Sequence, residues 1–216
     1  MNDNELFYPP LVRQTKYPQN PQGEYFDYKR YRPHIRKDCQ GRCIYCDTHE
    51  NENGGHEHMN LDHFRPKSIP RFTHLINNPL NLIWTCGGCN RLKSNHWPDK
   101  NSDESIVGNI GFVDPFVSPY KDFFDIQDNG ELTSKKIPAE YMLKLLALNR
   151  QSKRRIRELR LKKYQIINQF SEQISKIKVL AQQITDPEQQ RILEEHSLWL
   201  LESQQTIVKL LDFNLH

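Results

Sequence analysis

The sequence predicts an α+β fold in which a compact unit of two short strands and a helix precedes a long helical hairpin. Three observations predict it. Two Cys-x-x-Cys knuckles, Cys43/Cys46 and Cys86/Cys89, bracket one stretch of chain. Within that stretch Met59 to Phe64 and Leu80 to Thr85 are short runs of strand-forming character. From Pro138 onward apolar residues recur at three- and four-residue steps, the period of a helix face.

These signals divide the chain into four parts: an N-terminal arm with an aromatic and basic segment (1–42), a core around the knuckles (43–105), a small β element (106–137) and a helical region (138–216). The arm, with Pro9, Pro10, Pro18, Pro21 and Gly23, reads as an extended segment lying over the rest. In residues 24–42, Tyr25, Phe26, Tyr28 and Tyr31 alternate with Lys29, Arg30, Arg32, Arg36 and Lys37. Aromatics interleaved with cations can contact nucleic acid. A short helix packing its rings on the core is the commoner use of such a pattern.

In each knuckle two thiolates stand two residues apart, the spacing that lets one turn give a pair of ligands to tetrahedral zinc. Cys43, Cys46, Cys86 and Cys89 are therefore expected to hold a structural Zn²⁺, and Cys39 to be a buried free thiol. The polar loop 47–58, with His49, His56 and His58, reads as solvated. The second knuckle opens a helix that ends before Pro98, which gives the order strand, strand, helix. Further on, Ile110–Pro115 and Phe123–Ile126 are strand candidates, and Asp128-Asn129-Gly130 is a hairpin turn before Glu131-Leu132-Thr133.

Tyr141, Met142, Leu145, Leu146 and Leu148 begin the helical region. Ile156, Leu159, Ile166, Phe170, Ile174, Ile177, Leu180 and Ile184 extend it. Asp186-Pro187-Glu188-Gln189 starts a second helix, with Asp186 as N-cap, and its apolar residues pack back antiparallel. These faces serve helix packing or a homo-oligomer. Residues 149–163 carry eight basic residues against Glu158, a run that is either a solvated face or a track for phosphates.

Composition sets outer bounds. Of 216 residues 36% are hydrophobic and the mean hydropathy is -0.82, so the core is modest and metal binding can add to its stability. A net charge of +3 says little about nucleic acid by itself. No run approaches the ~20 apolar residues of a membrane span, and no apolar leader opens the chain. Cysteines gathered in knuckles suit a reducing compartment. A cytoplasmic protein without membrane contact is expected.

Between the knuckles stand the residues able to do chemistry. Asp62 offers a carboxylate and Asn90 an amide oxygen, hard ligands suited to Mg²⁺ or Mn²⁺. His63 titrates nearest neutrality and can take a proton from an attacking water. Adjacent residues of a regular strand point to opposite faces, so the strand must end or twist at Asp62-His63 for both to serve one site. Arg65, Lys67, Arg91, Lys93 and His96 are candidate phosphate contacts, although surface solvation is the ordinary fate of such residues.

The Asp62-His63 pair, Asn81 in Asn-Leu-Ile-Trp, and Asn90 in Cys-Gly-Gly-Cys-Asn-Arg-Leu-Lys resemble the HNH nuclease family in its zinc-bearing ββα-metal form. The resemblance implies His63 as general base, Asp62 and Asn90 as ligands of the catalytic divalent metal, and Asn81 as the brace of the His-bearing loop. Asn90 stands where the family often has His, a replacement that many members share. The implied activity is hydrolysis of DNA phosphodiester bonds, with RNA not excluded as substrate. Phe112-Val113-Asp114-Pro115, the Asn129-Gly130 turn, and Ala139–Leu148 followed by Asn149 and a basic helix resemble HNH proteins encoded beside an ATPase in Septu-type and retron-linked anti-phage systems. That layout implies a nuclease effector working with an ATPase partner. The competing expectation is a non-catalytic zinc module that binds nucleic acid or protein.

Overall fold

A computed structural model describes residues 6–211. The first five residues of the expected arm and the last five of the expected helical region lie outside the described residues. The fold is α+β, with small antiparallel sheets, a cysteine cluster and a C-terminal pair of helices. The chain divides into two compact units, one up to Arg157 and one from Glu158 onward.

In the first unit the arm is held by its side chains. Tyr8 is buried and stacks on Tyr120 with ring centroids 5.0 Å apart. Arg13 donates to the carbonyl oxygens of Leu82 at 2.7 Å and Leu80 at 3.1 Å. The aromatic segment turns into α1 (Arg32–Asp38), with Pro33 in its first turn where no donor is lost. Tyr31 and Ile35 are fully buried, while Tyr25, Phe26 and Tyr28 pack partly against the same core. The segment packs inward.

β1 (Met59–His63) and β2 (Leu82–Cys86) pair antiparallel, with Met59 opposite Cys86 and His63 opposite Leu82. β2 is buried throughout, and α2 (Gly87–Lys93) follows it directly. β2 starts two residues later than its apolar run suggests. Asn78 accepts from Leu80 N at 2.9 Å and folds Pro79–Asn81 into a 3₁₀ turn.

β3 (Ile106–Val107) and β4 (Ile110–Gly111) form a minimal hairpin. The expected strand to Pro115 stops at Gly111. Its φ of 137° brings the chain so close to Ser105 that a Cβ would stand 2.1 Å from that carbonyl oxygen. β5 (Phe124–Ile126) and β6 (Leu132–Ser134) form the hairpin expected around Asn129-Gly130, with Gly130 at φ 76°.

The helical region differs most from expectation. α3 (Ala139–Leu145) ends at a sharp corner where Ala147 has φ 43°, and a separate helix α4 (Gln151–Gln183) begins beyond it. Asn149 lies in the break. Its amide accepts from Leu132 N and donates to Leu132 O, both at 2.8 Å, and so extends β6 sideways. Ala139, Met142, Leu146 and Leu148 are buried in the core shared with β1 and β2, so α3 belongs to the first unit and not with the helical pair.

In the second unit α4 and α5 (Pro187–Leu211) run antiparallel, since Gln204 reaches the carbonyl of Ile167 at 3.0 Å and Ser171 Oγ at 2.8 Å. Asp186 Oδ1 accepts from Glu188 N at 2.9 Å, the expected cap. Of the expected stripe, Ile174 is buried, but Leu159, Ile166 and Leu180 are exposed. The buried line passes through Ala181 and Ser197 instead.

Candidate active site and metal clasp

The first knuckle is a tight turn in which Asp47 N donates to Cys43 O at 2.9 Å and Cys43 N to Thr48 O at 2.9 Å. Asp47 takes φ 59°, a conformation that Asp tolerates better than most residues. Ile44 N donates to Trp84 O at 3.0 Å and clips this knuckle to β2. The second knuckle spans the end of β2 and the first turn of α2. All four Sγ atoms are buried and lie within 4.8 Å of one another, so Cys43, Cys46, Cys86 and Cys89 form a group able to hold a metal ion. Cys46 Sγ and Cys86 Sγ are 3.7 Å apart, close to the edge of about 3.8 Å that a tetrahedron of ~2.3 Å metal–sulfur bonds has. Hydrogen bonds from the Cys43, Cys46 and Cys89 thiols hold Cys86 far below the ordinary thiol range. Cys39 is buried outside this group, and burial pushes its thiol up to about 12.

β1 ends at the pair Asp62-His63. Asp62 Oδ1 accepts from His63 N at 2.7 Å, which curls the carboxylate back toward its neighbour. The bond ties the carboxylate to the backbone of His63 and not to its ring, and both residues keep the regular register opposite Ile83 and Leu82. Phe64 N then donates to Asn81 O at 2.8 Å as the chain leaves the strand. Lys93, from the last turn of α2, meets both residues: its Nζ is 2.8 Å from His63 O and 3.7 Å from Asp62 Oδ2. That Oδ2 atom is buried and has no hydrogen-bond partner.

The His63 ring is buried between Tyr28, whose ring centroid is 4.9 Å away, and the loop 70–81. Its Nε2 lies 2.9 Å from Ile76 O. A carbonyl only accepts, so Nε2 carries the proton and Nδ1 keeps its lone pair. Burial lowers the His63 pKa below the usual imidazole value, which favours this neutral form. Asn81 is buried and clamps one residue of the loop, accepting from Arg65 N at 2.9 Å and donating to Arg65 O at 3.1 Å. Asn90 is half-buried on α2, one turn before Lys93 and so on the same helix face. It makes no side-chain hydrogen bond to Asp62 or His63.

Lys93 corrects an expectation. It is no surface phosphate contact, because its side chain is fully buried and burial lowers its pKa. Lys67, Arg91 and His96 are exposed, and Arg65 is half-buried with its Nη2 3.2 Å from Asp103 O. His56 and His58 are exposed in the loop that precedes β1.

The basic run also divides. Arg150 approaches the cysteine group. Lys153 donates to Asn53 Oδ1 at 3.2 Å, and Arg157 is buried with its Nε 2.6 Å from Gly130 O. Those three positives face inward and are no phosphate track.

Sequence reasoning did not find the parts played by Tyr28, the Ile76 carbonyl or buried Lys93. Only Lys93 left a trace, in its i,i+3 spacing from Asn90. Comparison with known proteins returns no match: no family model, no curated protein and no solved structure matches this chain.

Proposed function

We propose that this chain is an HNH endonuclease that hydrolyses DNA phosphodiester bonds with a divalent metal, its core held by a structural Zn²⁺ at Cys43, Cys46, Cys86 and Cys89. One observation carries the reading. A buried carboxylate oxygen without a hydrogen-bond partner, Asp62 Oδ2, stands beside a neutral histidine whose Nε2 is committed to a carbonyl. Lys93 Nζ, 3.7 Å from that oxygen, offsets its charge without reaching hydrogen-bond distance, so a coordination position on the carboxylate stays open to a divalent cation.

Asp62 and Asn90 would hold Mg²⁺ or Mn²⁺, which supplies charge stabilisation for the phosphate and the leaving oxygen. The rest is the work of this chain. His63 Nδ1 takes the proton of an attacking water. The Ile76 carbonyl and the Tyr28 ring fix the imidazole, and Asn81 fixes the loop that follows it. Lys67, Arg91 and His96, which are exposed, and half-buried Arg65 would meet the phosphates.

The resemblance of residues 110–163 to HNH proteins of Septu-type and retron-linked systems extends the proposal to a cytoplasmic anti-phage effector working with an ATPase. Exposed Leu198 and Trp199 on α5 offer a surface for association between copies.

The test is cleavage of supercoiled plasmid and of a matched RNA by purified protein, with Mg²⁺, Mn²⁺ or EDTA, alone and with the neighbouring ATPase. Metal-dependent cutting that His63→Ala abolishes is the expected result. Binding of nucleic acid without cleavage under every condition would replace the nuclease with the zinc-bearing binding module.

A further inference from the structure

Arg150 stands at the corner between α3 and α4, and its guanidinium is shared between two structures. Nη1 donates to the carbonyl oxygens of Leu146 at 2.9 Å and Ala147 at 3.2 Å, just past the C-terminal end of α3. Nη2 points the other way, 3.4 Å from Cys89 Sγ and 3.6 Å from Cys86 Sγ.

A separate observation concerns Gly88, inside the second knuckle. It belongs to α2 and has no left-handed φ, so backbone conformation does not require glycine there. In a helix, glycine is less favourable than alanine. A Cβ on Gly88 would stand 3.1 Å from Arg150 Nη2 and 3.6 Å from its Cζ. The missing side chain is the space the guanidinium occupies. At neighbouring Gly87 the nearest atom to such a Cβ is Asn60 Nδ2 at 3.5 Å, an ordinary contact.

We propose that Arg150 is a positioning residue of the metal clasp. It donates to the two sulfurs of the second knuckle and fastens that knuckle to the α3–α4 corner, and Gly88 is the clearance that admits it. The inference rests on a metal at the four cysteines. Four thiolates around a divalent cation leave an excess of two negative charges in a buried site, and the guanidinium offsets one of them. Hydrogen bonds to ligand sulfur also draw electron density from it, and groups that orient metal ligands in this way contribute roughly 10–100-fold to metal affinity.

The test uses the full chain as wild type, Arg150→Met, Arg150→Lys and Gly88→Ala. Metal content is measured first, then release to a chromogenic chelator, then the absorption of the Co²⁺-substituted proteins. A wild-type chain purified under reducing conditions that holds no metal would overturn the metal reading, and this inference with it. With metal present, Arg150→Met should release it about 10-fold faster or more. Arg150→Lys should recover part of the loss, and Gly88→Ala should resemble a partial loss of the arginine. The sulfur-to-Co²⁺ charge-transfer band should move to longer wavelength in Arg150→Met, because unbonded thiolates are easier to oxidise. Wild-type release rates, or faster release with an unmoved band, would overturn the proposal, since a residue that only holds the corner has no effect on the sulfurs. If Arg150→Met is insoluble, Gly88→Ala decides by the same two readings, because it crowds the guanidinium without removing it.

Discussion

The ammonium of Lys93 lies 2.8 Å from the backbone carbonyl of His63, with none of the lysine side chain exposed. The last turn of α2 is thereby joined to the last residue of β1. The same Nζ stands 3.7 Å from Asp62 Oδ2, too far for a hydrogen bond and near enough to offset the carboxylate's charge. Helix and strand meet through a charge placed where the two candidate catalytic residues adjoin.

Lys93→Met keeps the length of the side chain and removes the charge. The substitution leaves a buried carbonyl without its charged donor and Asp62 without its cation. Breaking a fully buried pair by one partner costs roughly 3–5 kcal/mol. Asp62 keeps some solvent contact, so a loss of about 2–3 kcal/mol is expected, in line with a buried hydrogen bond to a charged group. Urea unfolding of both proteins measures it. Unchanged stability would mean that the methionine's packing compensates for the lost ion.

Burial lowers the His63 pKa, and two consequences have the same sign. The unfolded chain takes up a proton near the ordinary imidazole pKa of about 6.5, while the folded chain resists it. Stability on this account is present above that pH and declines as pH falls from it toward the lower folded value. On the proposed mechanism cleavage would need neutral His63, so its acid limb should lie below the same mark. Unfolding of wild type and His63→Gln at neutral and mildly acid pH should show the steeper acid loss in wild type. A cleavage profile with its acid midpoint above the ordinary imidazole value would contradict the assignment of His63 as base.

The two knuckles, the paired strands, the following helix and the Asn129-Gly130 turn were legible in the sequence because each rests on local spacing or local turn chemistry. The α3–α4 corner was not. Within it Asn149 pairs with Leu132, a contact between residues that are distant in sequence and that no helical period records. The inward faces of Lys93, Lys153 and Arg157 were hidden for a related reason. A cation's partners here are mostly backbone carbonyls or a lone amide, which leave no complementary residue type to read. Asn81 stands between these cases, since its type and place were legible but its two bonds to Arg65 came only from the fold.

Asn81→Asp separates those two bonds. The acceptor toward Arg65 N survives, but the donor toward Arg65 O becomes a second carboxylate oxygen facing a carbonyl. A loss of roughly 1–3 kcal/mol in stability is expected for the unmade buried bond and the repulsion. The loop beyond His63 should loosen with it. Cleavage should fall at least tenfold with Zn²⁺ content unchanged, which plasmid nicking and metal analysis together would check. Cleavage at the wild-type rate would remove Asn81 from the positioning of the loop.

The exposed and buried cations predict different responses to salt. A phosphate contact by an exposed cation releases condensed counterions from DNA, and each one lost should lower the slope of log affinity against log salt by about 0.9 on duplex. Lys67 and Arg91 are exposed, and in sequence they follow closely on Asp62 and Asn90. Lys67→Ala and Arg91→Ala should therefore weaken DNA binding and flatten the slope together. Arg157 is buried, with its Nε on Gly130 O and its Nη2 3.0 Å from Leu148 O. Arg157→Gln should lower stability through those carbonyls while the folded fraction keeps the wild-type slope. Titrations of a labelled duplex at several salt concentrations decide between the two sets. A flattened slope in Arg157→Gln with none in Lys67→Ala or Arg91→Ala would return the phosphate track to α4 and move the DNA path away from β1 and α2.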